Sequence, residues 1–211
     1  MAFTLGTECG FVTAAPTNDP GGAAGSFNRR ATGTKDTCPA NYTKITEMGF
    51  YCATFASGVN FEIGLYSHDS SSDEPETLLW SDKTNTIEAG WNVISGLDIA
   101  VTPGTVYWLC IQGDAAANSY DYSTCNGARW AYFTSNVDTL PDPTWSGSTE
   151  LANYAAAIYA LVEVGSSGTN CQINIGDDWK AIEAMQINIG DTWKAVAGAK
   201  INIGDAWKTI F

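Results

Sequence analysis

A single histidine and only ten Lys and Arg in 211 residues rule out several chemistries at once. His68 lies in SHDSSSDEPE, where Ser67, His68 and Asp69 are consecutive. Neighbours in a strand-turn sequence cannot converge as a catalytic triad does, and no nucleophile elbow is present, so His68 is read as a solvated loop residue. The ten basic residues face 23 acidic ones, a net charge of −13. Nucleic acid and anionic membranes both need clustered Lys and Arg, and neither is an expected partner. The acidity is read as serving solubility.

Other absences narrow the field further. No CxxC pair occurs among Cys9, Cys38, Cys52, Cys110, Cys125 and Cys171, so thiolate zinc is not expected. The glycine-rich DPGGAAGS is not followed by GK[ST] and has no strand-helix context, which sets nucleotide binding aside. No apolar run is long enough to span a bilayer, and membrane insertion is not expected. MAFTLGTECGF lacks the basic and apolar regions of a secretory signal, so either a signal has been trimmed or the protein leaves its cell by another route, such as a particle released by lysis. A glycosidase needs two facing carboxylates, and no motif selects such a pair. The expected protein is not an enzyme and carries no cofactor.

What is present favours strands and turns. Gly, Ser, Thr, Asn and aromatic residues are plentiful, and helix-favouring side chains are scarce. Residues 1–40, with PTNDPGGAAGS, read as an irregular or edge segment. From there to 164, KITEMGFYCAT, VNFEIGLYS, ETLLWSD, GWNVISGLDIAV, TVYWLCIQG, RWAYFTS and YAAAIYALVEV are strand candidates at the spacing of an all-β sandwich. In VNFEIGLYS, Val59, Phe61, Ile63 and Leu65 alternate with Asn60, Glu62 and Gly64, which predicts one face inward and one outward. Pro103-Gly104 marks a turn, and Asn126-Gly127 favours a hairpin joining YDYST to RWAYF. Even cysteine number and strand-rich composition suggest disulfides; short separations favour Cys38 with Cys52 and Cys110 with Cys125, out of fifteen possible pairings.

Residues 165–170 are small and polar and read as a linker. Beyond it, 171–211 holds three near-copies of Ile-Asn-Ile-Gly-Asp-x-Trp-Lys, fourteen residues apart. Each copy is long enough for one β-hairpin. A three-residue loop, Gly176 to Asp178, would set Ile175 opposite Trp179 and separate apolar from polar side chains; a two-residue loop would set Ile175 beside Asp178. On the first register Ile173, Ile175, Trp179, Ile187, Ile189, Trp193, Ile201, Ile203 and Trp207 form an apolar assembly face. A single hairpin cannot bury such a face, so the copies are expected to stack on one another, on the sandwich or on other chains, and a homo-oligomer is the main expectation.

The reiterated INIGDxWK resembles the short hydrophobic-Gly-x-Trp-Lys repeats at the ends of bacteriophage tail and virion-surface proteins, although the usual turn carries two glycines where this chain has Gly-Asp. KITEMGFYCA, FEIGLYSHDSSSDEPETLLWSD, GWNVISGLDIAVTPGTVYWLCIQGD and AAAIYALV resemble a jelly-roll module of bacterial surface proteins and phage appendages, some of which attach to glycans or cell surfaces. The resemblances imply an all-β chain: a jelly-roll-like antiparallel sandwich over 1–164 followed by three hairpin repeats. They imply a virion or extracellular structural protein that meets copies of itself or other virion proteins.

Two ligand readings accompany this one. Aromatic faces stack on sugar rings, and YDYSTCNGARWAYF supplies Tyr122, Trp130 and Tyr132 as candidate glycan-binding residues, with Tyr120, Asp121, Asn126 and Arg129 near them. A host-surface glycan is then the partner, and a monomeric carbohydrate-binding or adhesive module is the competing function. A subunit of a non-viral filament uses the same repeat physics. Asp69, Asp73, Glu74 and Glu76 offer oxygen ligands for calcium, although the loop lacks EF-hand spacing and a solvated acidic loop is the plainer reading.

Overall fold

A computed structural model describes the chain except residues 1, 57, 115, 117, 126–128, 134–136, 146–148, 165–171, 176–177, 182–185, 190–191, 196–199, 204–205 and 210–211. Side chains are described only up to 164, and not at 84, 129 or 149–151. The Asn126-Gly127 turn, the 165–170 linker and Cys171 therefore lie outside the described residues. The chain divides into two compact units, Met1–Val164 and Gly165–Phe211.

The described residues form strands and no helix. In the first unit the strands are β1 Gly10–Val12, β2 Ala23–Ser26, β3 Ala31–Thr37, β4 Lys44–Thr54, β5 Asn60–Asp69, β6 Glu74–Thr86, β7 Gly90–Ala100, β8 Val106–Gly113, β9 Ser119–Thr124, β10 Arg129–Phe133, β11 Thr149–Ala152, β12 Tyr154–Ala156 and β13 Ile158–Glu163. One sheet runs β1-β13-β4-β9-β12, with β2 added to β9 and β7 to β4; the other runs β11-β10-β3-β8-β5-β6. Strand residues two apart share a face, so each sheet can turn an apolar row toward the other. Phe11, Ile45, Phe50 and Ile158 from one sheet meet Phe61, Ile63, Leu65, Leu109 and Ile111 from the other in a single buried cluster. Phe50 and Phe61 touch edge to face across the gap at 5.0 Å. Burial of each such side chain contributes about 1.5–3 kcal/mol, and these contacts hold the sandwich together.

The turn at Pro103-Gly104 forms as the sequence suggests. Gly104 takes φ +76°, and the Thr105 N–H donates to the Thr102 carbonyl at 3.2 Å. Glycine takes that left-handed conformation without steric cost.

Three expectations are corrected. Residues 1–40 are not merely irregular: β1 and β2 are edge strands, but β3 lies inside its sheet between β10 and β8. ATGTKDT lacks the large apolar residues that signal a strand, yet its small side chains allow close approach, and a Cβ at Gly33 would stand 2.6 Å from Cys110 Sγ. β5 is buried on both faces rather than half-exposed. Glu62, Gly64 and Tyr66 are covered by the 137–145 segment, whose Leu140 N–H donates to Glu62 Oε2 at 2.6 Å. Tyr66 and Trp108 thereby join Leu140 and Trp145 in a second core cluster. Nor do the expected disulfides form. Cys38 and Cys52 are buried thiols, while Cys110 lies in that second cluster and Cys125 in a third with Cys9. Proximity in sequence did not predict proximity in space, because successive strands enter different sheets.

In the second unit the strands pair as three separate antiparallel ladders: β14 Gln172–Ile175 with β15 Asp178–Ala181, β16 Gln186–Ile189 with β17 Thr192–Ala195, and β18 Lys200–Ile203 with β19 Ala206–Thr209. Ile175 opposes Asp178, Asn174 opposes Trp179 and Ile173 opposes Lys180, and the other two ladders repeat this register. The three-residue-loop register is thus replaced by the two-residue one, and Trp179 falls in the row of Asn174 rather than Ile175.

Candidate functional site

The residues that gather at one open cleft come from both sheets. In β9, SYDYST, Tyr120 and Tyr122 share a face while Asp121 takes the other. In β10, RWAYF, Trp130 and Tyr132 share a face, while Ala131 and Phe133 enter the second core cluster. β9 pairs with β2, β4 and β12, whereas β10 pairs with β3 and β11, so the two are not the hairpin the sequence suggested. They face each other from opposite sheets, which brings the three candidate aromatics together.

Trp130 and Tyr132 stack with centroids 5.2 Å apart and planes 23° apart. Tyr122 lies 6.2 Å from Trp130 at an interplanar angle of 15°. Tyr154, at the head of β12, sets its edge against both, 5.5 Å from Tyr122 and 6.3 Å from Trp130 at 88°. Tyr120 is buried behind them and touches the core through Phe27 at 5.3 Å. Burial pushes the Tyr120 phenol up to about 12, so it stays protonated. The cavity bounded by these rings and by Gly25, Ser26 and Asn28 measures about 380 Å³. That lies within the range of small-ligand sites, roughly 300–1,000 Å³.

Local backbone geometry shapes the mouth. Asn28 and Arg29 take φ +45° and +52°, a conformation that asparagine tolerates well and arginine less so, and the Arg30 N–H closes the turn onto the Phe27 carbonyl at 2.8 Å. The turn carries the Arg30 guanidinium over the Tyr132 ring, 5.0 Å from its centroid, where Nη1 hydrogen-bonds the phenol oxygen. β2 runs close beneath, and a Cβ at Gly25 would lie 2.8 Å from the Tyr120 ring. Only glycine leaves room for that ring in its present place.

Asp121 points away from the cleft. It is buried, accepts the Gly22 N–H at 3.1 Å, and burial raises its carboxyl above the ordinary range. Asn126 and the Arg129 side chain lie outside the described residues. Tyr154 was missed by sequence reasoning, since YAAAIYALVEV reads as one strand while the chain breaks it into β12 and β13. The cleft can offer ring faces, phenol hydroxyls and an amide to a polar ligand. No Asp, Glu or His is among its described lining residues.

The 67–76 loop has a different purpose. Asp69 accepts the Ser71 N–H at 2.8 Å, the Ser71 hydroxyl at 2.7 Å and the Ser72 hydroxyl at 2.9 Å, and these bonds hold its carboxyl down to about 2. Asp73 pairs with Lys35, and Glu76 accepts the Ser67 hydroxyl. Glu74 opposes Asp69 across the ladder. Among the described residues no three His, Cys, Asp or Glu side chains converge as metal ligands. His68 is not simply solvated either. Its Nδ1 accepts the indole N–H of the fully buried Trp108 at 3.2 Å, which satisfies a donor that would otherwise be stranded.

No protein family matches the chain, and no curated protein is significantly similar to it.

Proposed function

We propose that this is a non-enzymatic structural protein of a virion, a tail, fibre or surface component of a bacteriophage, which assembles through its C-terminal hairpin repeats and displays a jelly-roll sandwich. The observation that carries the reading is the state of the repeats: three ladders of equal register, each a separate two-stranded sheet. An isolated hairpin is marginal in water, and its open edges invite further pairing. Each copy supplies two Ile and one Trp, apolar area that a lone two-stranded ladder cannot bury. The name "phage" comes from the resemblance of INIGDxWK to terminal repeats of tail and virion-surface proteins. The jelly-roll assignment draws support from the chain's passage between sheets, with β4, β7 and β9 in one and β3, β5, β8 and β10 in the other. Light scattering on a sizing column tests the assembly reading: the full chain is expected to run as an oligomer and a chain ending at Val164 as a monomer. Two monomers would overturn it.

A second reading is favoured by the cleft. We infer that the sandwich binds a carbohydrate through Tyr122, Trp130 and Tyr132, with Tyr154 as a side wall. Stacked rings at an open cavity with hydroxyl and amide neighbours are the chemistry that recognises a pyranose face and its hydroxyls. The readings are compatible, since the cleft lies in the sandwich and the assembly reading rests on the repeats. A glycan array probed with residues 1–164 tests this one; no sugar-dependent signal would reject it.

A further inference from the structure

Cys9 and Cys125 lie more than a hundred residues apart in sequence, yet they share one small buried cluster with Phe3, Ala155 and Ala157. Cys9 is 0% and Cys125 7% exposed. The backbone brings them together from two directions. Phe3 bridges Cys125 in parallel register, with its N–H on the Thr124 carbonyl at 2.9 Å, and Leu5 bridges Cys9. The Gly6 N–H then closes on the Cys9 carbonyl at 2.9 Å, so residues 3–9 form a tight loop laid against the end of β9. Both cysteine side chains pack into that one cluster, and the Cys9 thiol donates to the Thr4 carbonyl at 3.9 Å.

We propose that Cys9 and Cys125 are a disulfide site, a covalent staple that fastens the N-terminal loop to the end of β9 when the protein matures in an oxidising environment. The two thiols each give up a proton and an electron and their sulfurs join; a disulfide oxidant such as oxidised glutathione takes up both and leaves as two thiols. The neighbouring Cys125, and after it burial, hold the Cys9 thiol far above its ordinary value. A thiolate is therefore disfavoured in the folded protein, and the bond forms as the chain folds. Once formed it is shielded from solvent thiols by Phe3 and the two alanines. The staple closes a long loop, the case in which a cross-link restricts the unfolded chain most. It does not depend on either functional reading above.

The full chain is refolded in a glutathione redox buffer, alkylated, and digested without reduction. A linked peptide pair containing Cys9 and Cys125, about 2 Da lighter than the two thiol peptides together, is expected. Adding reductant should lower Tm by on the order of 10 °C, and the C9S/C125S double variant should lose that dependence. If the double variant fails to fold, the peptide map of the unaltered chain decides. Alkylation of both residues in the refolded protein, or linkage of either to Cys38, Cys52, Cys110 or Cys171, would overturn the proposal.

Discussion

The hydroxyl of Thr34 accepts the backbone N–H of Ala156 at 2.9 Å and donates to the carbonyl of the same residue at 3.0 Å. Thr34 belongs to β3 and Ala156 to β12, so one side chain ties the two sheets together through the interior. Trp130 stands directly across from Thr34 on β10, and Tyr154 lies two residues before Ala156. The tie therefore sets the distance between two walls of the aromatic cleft. Thr34→Val keeps the shape but strands a buried N–H and a buried carbonyl. We expect a loss of about 2–6 kcal/mol in denaturant unfolding, at one to three per unsatisfied group. A loss below about 0.5 kcal/mol would show that water replaces the hydroxyl, an exchange that ordered water at polar sites can make.

Trp130 sits between Tyr122 and Tyr132 in the stacked row, so its removal takes away the central platform. If the cleft holds a sugar, Trp130→Ala lowers affinity at least about tenfold, roughly 1.4 kcal/mol, in calorimetric titration. Tyr154→Ala, which removes only an edge contact, has a smaller effect. Equal affinity of the Trp130 variant and the unaltered sandwich would place any glycan site elsewhere.

Gly25 is a close approach rather than a turn. Its Cβ would meet the Tyr120 ring at 2.8 Å, and that ring cannot retreat without disturbing Phe27. Gly25→Ala is expected to cost about 1–3 kcal/mol, the range for overpacking a filled site. It should also alter Tyr122 and Trp130 shifts in NMR spectra. Unchanged spectra and stability would mean that β2 moves outward at no cost.

His68 accepts from a buried indole, so His68→Leu leaves the Trp108 N–H without a partner. The expected loss is about 1–3 kcal/mol, read by thermal or denaturant unfolding. A neutral substitution would show that water reaches the indole at the edge of β5.

Asp69 gives a pH prediction of definite sign. Its folded carboxyl is held at about 2, below the ordinary 3.8, so between those values the folded chain binds fewer protons than the unfolded one. The stabilisation is present above about pH 4 and is lost as pH falls toward 2. The group is only partly buried and its contribution small, so the measurement is the NMR titration of its side chain. A midpoint near the ordinary value would show that the serine bonds do not persist in solution.

Much of the strand pattern was legible in the residues. KITEMGFYCAT is β4 residue for residue, and VNFEIGLYS, GWNVISGLDIAV and TVYWLCIQG overlap most of β5, β7 and β8. β3 was not legible, because ATGTKDT owes its interior place to smallness and to one hydroxyl rather than to hydrophobicity. The outer face of β5 was misread for a related reason. Glu62 looks solvent-facing in sequence, and only a segment some eighty residues on, arriving through Leu140, buries it. Tyr122, Trp130 and Tyr132 were singled out as aromatic residues with polar neighbours. That they meet from opposite sheets was not visible, since a tight hairpin and a crossing between sheets can share the same turn residues.

By itself the sequence determined the things that depend on near neighbours: all-β character and the turn at Pro103-Gly104. Side-chain alternation and turn chemistry act over a few residues, so they can be read from a few residues. Tertiary structure decided which strands share a sheet, which polar groups are buried, which aromatics line a common cleft and which cysteines meet. Those outcomes depend on contacts between residues as far apart as Thr34 and Ala156, where packing and the pairing of buried polar groups choose among many arrangements that local patterns allow equally.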